Sequence, residues 1–487
     1  MNYSIMKPLP FRKFPGPRAG FALALALAGG CAVGPNYQPP QAPAPAAWEA
    51  ALAGGETTQT PAAAWWRTFH DPQLDSLIDR AVAANLDLRI AGARVREARA
   101  QYQIVAADLQ PTVGTSGSYA RQRQSQNQPL IGALPLPAGI PFENNVYQAG
   151  FDAAWELDVF GGTRRAAEAG RAEVAAAEFG RRGTLVTLLA EVGRNYVELR
   201  GRQRRLVIAT ENIRAEEESL AIARDRFKNG LTSDLDVQQA ATLLAATRAE
   251  IPTIETGIQA CIHRLGVLLG QPPGALSAEL SPAAPIPGAP PVVPVGLPSA
   301  LLLRRPDVRQ AERQLAAATA GIGVATADLF PKFSLTGAAG FQSVSASDWF
   351  TAGSRFWSVG PTVQWKIFDA GRIRANIRVQ DARQEEALAT YEAVVLGAFE
   401  ETEDLLVAYA KEQTRHRWLA DAAASSQDSL HLARQLYDHG LTGFINVLEA
   451  ERSTYQAQDA LAQSDQAVTQ DLIALYKALG GGWETVE

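Results

Sequence analysis

The chain has 487 residues, 47% of them hydrophobic, enough to bury large cores in two or three globular domains. Formal charge is −6, and the only charges in residues 1–30 are Lys7, Arg12, Lys13 and Arg18; without them the balance is −10, which argues against a nucleic-acid partner. No stretch approaches the ~18–20 consecutive apolar residues of a spanning helix, which excludes a polytopic helical membrane protein, and two cysteines cannot make a disulfide-dense scaffold.

Residues 1–30 read as a secretory signal: a basic stretch ends at Arg18, and Phe21 to Ala28 form a short apolar core. Leu27-Ala28-Gly29-Gly30-Cys31 then runs small residues into a cysteine, which resembles a bacterial lipobox. In that reading Cys31 is acylated and becomes the mature N-terminus, and residues 31–64 are a lipid-anchored extension. The alternative is ordinary cleavage near Ala28; Ala28 stands where such boxes usually place Leu. Ala32, not Asp, follows Cys31 and points to an outer-membrane address. Cys261, in the apolar segment 258–269, reads as a buried, inert thiol.

The remainder contains two copies of one unit, residues 65–285 and 301–487, joined by a Pro-rich linker at 286–300. Ala223-Arg224, Gly230-Leu231-Thr232, Val237 and Ala240 recur as Ala433-Arg434, Gly440-Leu441-Thr442, Val447 and Ala450, at an offset of 210 throughout. Gly150 and Trp155 match Gly360 and Trp365 at the same offset. Ala107-Asp108-Leu109 and Pro111 match Ala327-Asp328-Leu329 and Pro331 at 220, so the first copy holds ten extra residues, assigned to an enlarged loop at 129–141.

In each copy the periodicity of two comes first. Tyr147, Ala149, Phe151, Ala153 and Trp155 alternate with polar or small residues, as do Phe333 and Leu335, and Trp357, Val359, Val363, Trp365 and Ile367. Each copy therefore offers one β-hairpin, at about 111–160 and 331–368, with ~10-residue strands long enough to cross a bilayer when tilted. Four strands cannot close around a pore, and open edges are not tolerated in lipid, so spanning hairpins require several chains to share one barrel. Two chains would supply eight strands and three would supply twelve; a soluble β-sandwich is the competing reading.

The period then changes to seven. Leu185, Val192, Leu199, Leu206, Ile213, Leu220 and Phe227 form one seam, and Leu388, Tyr391, Val395, Ala398, Thr402, Leu405 and Tyr409 form the other. Windows 142–251 and 362–487 contain no proline, so long helices are predicted at about 162–230 and 371–440, each roughly 100 Å at ~1.5 Å per residue. Each ends at Gly-Leu-Thr, where glycine stops a helix, and returns as a second helix at about 233–270 or 443–480.

Several blocks carry a resemblance. Trp65-Trp66, Phe69, Asp71-Pro72 and Leu74, with Asn85 and Asp87-Leu88, resemble the entry helix of the TolC-like outer-membrane efflux proteins. So do Leu303-Arg304-Arg305-Pro306-Asp307-Val308 with Ala311-Glu312, and Leu475-Tyr476-Lys477-Ala478-Leu479 running into Gly480-Gly481-Gly482-Trp483. The start Cys31-Ala32-Val33-Gly34-Pro35-Asn36-Tyr37 is similar to the lipoprotein branch serving resistance-nodulation-division (RND) pumps. The resemblance implies a mainly α fold with β: a homotrimeric α-helical barrel of coiled-coil hairpins continuous with a shared twelve-stranded transmembrane β-barrel. It also implies outer-membrane lipid around that barrel, a periplasmic adaptor and an inner-membrane RND transporter as partners, and no cofactor. Small toxic compounds such as drugs are the expected cargo.

The same resemblance implies the working residues. Side chains just past the second turn constrict the pore, which gives Ile445, Asn446 and Glu449; many relatives are acidic where this chain has Asn446. Three symmetric Glu449 carboxylates would repel one another or bind cations, whereas the plainer reading is a solvated helix face. Tyr437 and Asp236 match a latch in which a phenol from one hairpin bonds a carboxylate from another; Asp236 also suits a local capping box with Ser233. Thr442 stands where that network often has Arg. Gly230, Leu231, Thr232, Gly440, Leu441 and Thr442 are the adaptor-docking tips, unless each Leu simply packs back on its own helix.

Enzymatic readings find no support in the sequence. Five histidines show no metal spacing, and His416 reads as a packed seam residue. Gly321 and Gly323 lack the third glycine of a dinucleotide loop, and Glu216-Glu217-Glu218 and Glu400-Glu401 read as solvated faces. A type I protein secretion duct and a pore-free lipoprotein scaffold are the rival functions.

Overall fold

The computed structural model describes residues 32–41, 44–52, 55–59, 62–123, 125 and 142–485. The signal segment, Cys31 and the enlarged loop at 129–141 lie outside the described residues. The fold is mostly helical with some sheet, and its residues divide into two compact units.

The first unit comprises residues up to 39, 98–174 and 314–388. It holds β1 (Thr112–Arg123), β2 (Glu143–Leu157), β3 (Lys332–Ser343) and β4 (Arg355–Gln364), antiparallel in that order. Cross-strand partners share a face. Val113 pairs with Ala153, Phe151 with Ala339, and Trp155 with Leu335, while Gly337 pairs with Val359 and Phe333 with Val363. That face is apolar over the part nearest the helices and turns polar at the far end, where Arg121 pairs with Asn145, Arg123 with Glu143 and Phe341 with Arg355. The other face carries Ser116 opposite Gly150, Glu156 opposite Ser334 and Ser334 opposite Thr362, and is mostly polar or small, with Phe356 opposite Gly340 as an exception. Gly150 faces Gly340 across the central pair, where a Cβ on Gly340 would stand 2.3 Å from the Ala149 carbonyl oxygen. Among the described residues neither β1 nor β4 has a partner on its outer side. Trp365 and Ile367 fall just past β4, beyond the alternating run expected of the strand.

Two indoles fasten the sheet to the turns that start it. Trp155 Nε1 donates to the Leu109 carbonyl at 3.1 Å, and Trp365 Nε1 donates to that of Leu329 at 3.0 Å. The segment after Cys31 is fixed in this unit too. Val33 N–H donates to the Phe160 carbonyl, and the buried Arg165 guanidinium donates to the carbonyls of Val33 and Gly34 and to Asn36.

The second unit comprises residues 40–97, 175–313 and 389–487. Its helices, some shared with the first unit, are α1 (Pro72–Ala84), α2 (Leu86–Ala107), α3 (Gly162–Lys228) and α4 (Asp234–Leu268) in the first half of the chain. The second half supplies α5 (Pro298–Arg304), α6 (Pro306–Ala327), α7 (Arg372–Asp438) and α8 (Phe444–Ala478). The heptad seams are buried in part: Leu185, Val192, Leu199 and Leu220 on α3, and Tyr391, Val395, Ala398, Thr402 and Tyr409 on α7; Leu206, Ile213, Leu388 and Leu405 are half-buried, and Phe227 at the end of α3 is exposed. Helix α4 runs on through Pro252, whose missing N–H removes one helical bond. Cys261 is buried, and burial pushes its thiol up to about 11.

The sequence blocks that stand out by eye are the bolts of this unit. Trp65 stacks on Tyr476 at 5.4 Å. Asp71 caps α1 by accepting from the backbone of Gln73 and Leu74, and its second oxygen accepts from Tyr196 Oη at 2.8 Å. Asn85 accepts from Leu88 N–H, and its amide donates to the carbonyl of Leu268 at the end of α4. Arg305, its side chain only 11% exposed, holds Asp307 through two bonds, Glu401 at 2.6 Å and the Ala478 carbonyl at 3.0 Å. Burial alone would raise the Asp307 carboxyl; the guanidinium wins and holds it below the ordinary carboxylate range. Glu401 is therefore half-buried in an ion pair and not on a solvated face.

Removing Arg305 would free the buried end of three contacts, although Asp307 and Glu401 are partly exposed and Glu401 keeps Lys477 at 3.9 Å. Arg305→Ala is expected to destabilise the protein by about 1–3 kcal/mol. Arg80→Ala, which breaks the exposed pair with Glu279, is expected to change it by about 1 kcal/mol or less. Thermal unfolding of both variants in detergent checks the contrast.

Candidate functional site

The candidate site lies at the two turns where the long helices reverse. After α3, Gly230 has φ +69°; its N–H donates to the Phe227 carbonyl at 2.9 Å, and Leu231 N–H donates to that of Arg226 at 2.8 Å. After α7, Gly440 has φ +71°, with the same two bonds to Tyr437 and Leu436. This is a Schellman stop, which needs a residue tolerant of the left-handed region. The apolar residue after each glycine does not fold back: Leu231 is 74% exposed and Leu441 73%. Phe227, Leu235, Leu436 and Ile445 are exposed beside them.

Behind the turns Leu220, Ala223, Val237, Ala240 and Leu244 pack with Tyr437, Phe444, Val447 and Leu448, so both hairpins share one apolar cluster. Each turn carries a side-chain link from its threonine to the fourth residue on. Thr232 Oγ1 donates to the Asp236 carboxylate, and Asn446 Nδ2 donates to Thr442 Oγ1 at 2.6 Å. Ser233 makes no side-chain cap. The expected capping box is therefore replaced, because the Thr232 hydroxyl takes the Asp236 carboxylate.

Ile445, Asn446 and Glu449 are all exposed on the first turns of α8. Glu449 is ion-paired with Arg452 at 2.6 Å, one turn on. Tyr437 packs on Phe444 at 5.1 Å and lies under the Arg226 guanidinium at 4.1 Å, with its hydroxyl buried and unpartnered. Within the chain Tyr437 and Asp236 share no hydrogen bond. His416 is not simply packed: its Nε2 lies 2.5 Å from Asp465 Oδ1 at the edge of a cavity of about 920 Å³ beside residues 283–291. Among the described residues no cluster of His, Cys, Asp and Glu forms a metal site.

One layer back from the apolar cluster, the reading of 216–218 as a solvated face fails. Glu217 and Glu218 are exposed, but Glu216 is buried at 3% exposure and accepts from Thr247 Oγ1 at 2.9 Å. Burial, with Glu451 and Glu250 nearby, pushes the Glu216 carboxyl up to about 7 against the pull of the Thr247 bond.

The family model described as outer membrane efflux protein matches the chain twice, over residues 77–271 and 297–481. The chain belongs to the outer membrane efflux protein family. It is similar to the solvent efflux pump outer membrane protein SrpC of Pseudomonas putida, 35% identical over 94% of this chain and 97% of that one. It is also similar to the cation efflux system protein CusC of Escherichia coli, 33% identical over 95% and 98%. Among solved structures, the outer-membrane channel OprN matches at a TM-score of 0.86 and 37% identity, over 93% of this chain and all of that one. The open-state MtrE channel of Neisseria gonorrhoeae matches at 0.80 and 27%, over 93% and 99%. This efflux protein is thus an outer-membrane exit duct of the tripartite pump class, whose members form trimers and work with an adaptor and an inner-membrane transporter.

Sequence reasoning about this efflux protein missed three features of the tips. Leu235, one turn past Leu231, extends the exposed apolar edge, and Arg452, three residues past Glu449, pairs with it; both spacings were available to be read. The burial of Glu216 had no local signal, since its partner Thr247 lies on another helix. The orphaned Tyr437 hydroxyl gives a clean prediction. Tyr437→Phe should leave the thermal midpoint unchanged or slightly raised if the hydroxyl stays bare in the assembled protein, and should lower it if a neighbouring chain supplies the partner; melting curves in detergent decide.

Proposed function

We propose that three copies of this chain share one twelve-stranded barrel in the outer membrane and continue it with their α3/α4 and α7/α8 hairpins as a periplasmic duct. The observation that carries this reading is the sheet: four strands, one apolar face, and two unpaired edges. A lipid bilayer tolerates no open edge, and four strands cannot close a pore, so the edges of neighbouring copies must pair. The apolar face with Trp155, Trp357 and Phe151 turns to lipid, and the polar face lines the lumen. Cys31, acylated, adds a lipid anchor where Arg165 fixes the segment behind it.

A duct does its work by lining, closure and docking. Ile445, Asn446 and Glu449 line the constriction, where Glu449 is offset by Arg452 and Asn446 contributes no charge. The buried Tyr437 hydroxyl, without a partner in its own chain, is available to a neighbouring hairpin such as one bearing Asp236. The tips Gly230-Leu231-Thr232 and Gly440-Leu441-Thr442 present bare leucines to a groove between adaptor helices, and an inner-membrane RND transporter supplies the cargo. Relatives are named for pumping solvents, toluene, antibiotics and cations, and small toxic compounds are the cargo proposed here.

The test is dye and antibiotic accumulation in a strain lacking only this chain. Accumulation is expected to rise several-fold, to be restored by wild type, and to stay high with Leu231→Asp plus Leu441→Asp although the trimer still forms. Unchanged accumulation with a polypeptide missing from the medium would replace drug efflux by protein secretion. Adaptor crosslinking that survives the double substitution would refute the docking tips.

A further inference from the structure

Behind the tips, four helices meet around two buried carboxylates. Glu216 of α3 is 3% exposed and Glu451 of α8 is 2% exposed. Ser219 of α3, one turn from Glu216, donates to Glu451 Oε1 at 2.5 Å, so both carboxylates approach the same turn of α3. Thr247 of α4 donates to Glu216 Oε1, and Arg434 of α7 donates to Glu451 Oε1 at 2.8 Å. Glu250 of α4 faces the same layer and accepts from Tyr455 Oη of α8. The outer oxygen of each carboxylate, Glu216 Oε2 and Glu451 Oε2, is buried with no hydrogen-bond partner.

Two buried carboxylates cannot both stay charged beside a single guanidinium at little cost, and each bare oxygen lacks a donor. One proton relieves the charge. Taken from solvent onto Glu216 Oε2, it removes a buried charge and with it the repulsion from Glu451 and Glu250. Arg434 already balances Glu451, which leaves Glu216 as the group that takes the proton.

We propose that Glu216 and Glu451 form a proton-operated clasp that holds α3 against α8 behind the tips when Glu216 is protonated and loosens when it is ionised. This rests on reading the tips as the closing end of the duct. Burial and the neighbouring acids raise the packed Glu216 to about 7 from an ordinary 4.5. An acid raised on packing stabilises the packed form fully below its ordinary value, and that stabilisation is lost as pH climbs through the raised one. The window therefore runs from about pH 4.5 to about 7, with the clasp tight on the acid side.

The test is amide hydrogen exchange of the full-length trimer in detergent, corrected for intrinsic rates, over residues 213–220 and 447–455. Protection is expected to fall roughly 30-fold between pH 5.5 and 8 in wild type. Glu216→Gln should hold it at its acid-side level throughout. Thr247→Val, which removes the donor that favours the charged form, should move the midpoint to higher pH, and it decides the matter if Glu216→Gln does not assemble. A flat wild-type profile, a Glu216→Gln profile that follows wild type, or an unmoved midpoint in Thr247→Val would overturn the clasp. The readout does not depend on conductance, so the clasp and the duct reading fail separately.

Discussion

A backbone N–H or C=O without a partner in hydrocarbon costs several kcal/mol, and a sheet with two open edges presents a row of them on each side. The sheet of this chain has such edges, with β1 and β4 unpaired on their outer sides among the described residues and one face apolar along the part nearest the helices. Among the described residues nothing covers those edges. In the shared barrel proposed above, that demand for a partner edge makes the chain a component and not a complete pore. The indole bonds from Trp155 and Trp365 fasten the strands to the turns that start them, so each edge leaves the helices at a fixed place.

In the second unit the controlling interaction is helix packing, and there the chain is held by polar bolts set into apolar seams. Arg305 joins α6, α7 and the end of α8 through one guanidinium, and Asp71 joins α1 to α3 through Tyr196. Such bonds add modest net stability but penalise every wrong register, since each misplacement leaves a buried group unpaired. Long heptad helices need this. A seam of Leu and Val tolerates sliding by seven residues, whereas an arginine that must meet two carboxylates does not.

What could be read beforehand follows the range of the physics involved. Period two and period seven are local geometry, so the alternation around Phe151 and the seam from Leu185 to Leu220 were visible in the residues alone. The helix stops at Gly230 and Gly440 were visible for the same reason: a positive φ has a residue preference. Asp236 was legible only to its neighbourhood, because the Thr232 hydroxyl and the Ser233 backbone N–H compete for its carboxylate and spacing does not say which wins. Glu216 was not legible at all. Its fate is decided by Thr247 and Glu451, 31 and 235 positions away, and a run of three glutamates looks the same whichever one turns inward. The anchoring of Val33 and Asn36 by Arg165 is long-range in the same way.

The tips combine properties that would be defects in an ordinary helical hairpin. Leu231 and Leu441 are left bare, the Tyr437 hydroxyl is left without a donor or acceptor, and two carboxylates are buried behind a small apolar cluster. Each weakens this end; around Trp65 some groups are also bare, Trp66 Nε1 and Tyr476 Oη among them, but there they sit in stacked rings and made helix caps. A duct that must be closed at rest and opened on engagement needs this distribution. An end with fully satisfied groups would have no differential free energy to give a docking partner, and a ligand shifts an equilibrium only by its differential affinity. On the proposed gate reading, the unsatisfied groups at the tips lie where two arrangements must stay close in energy.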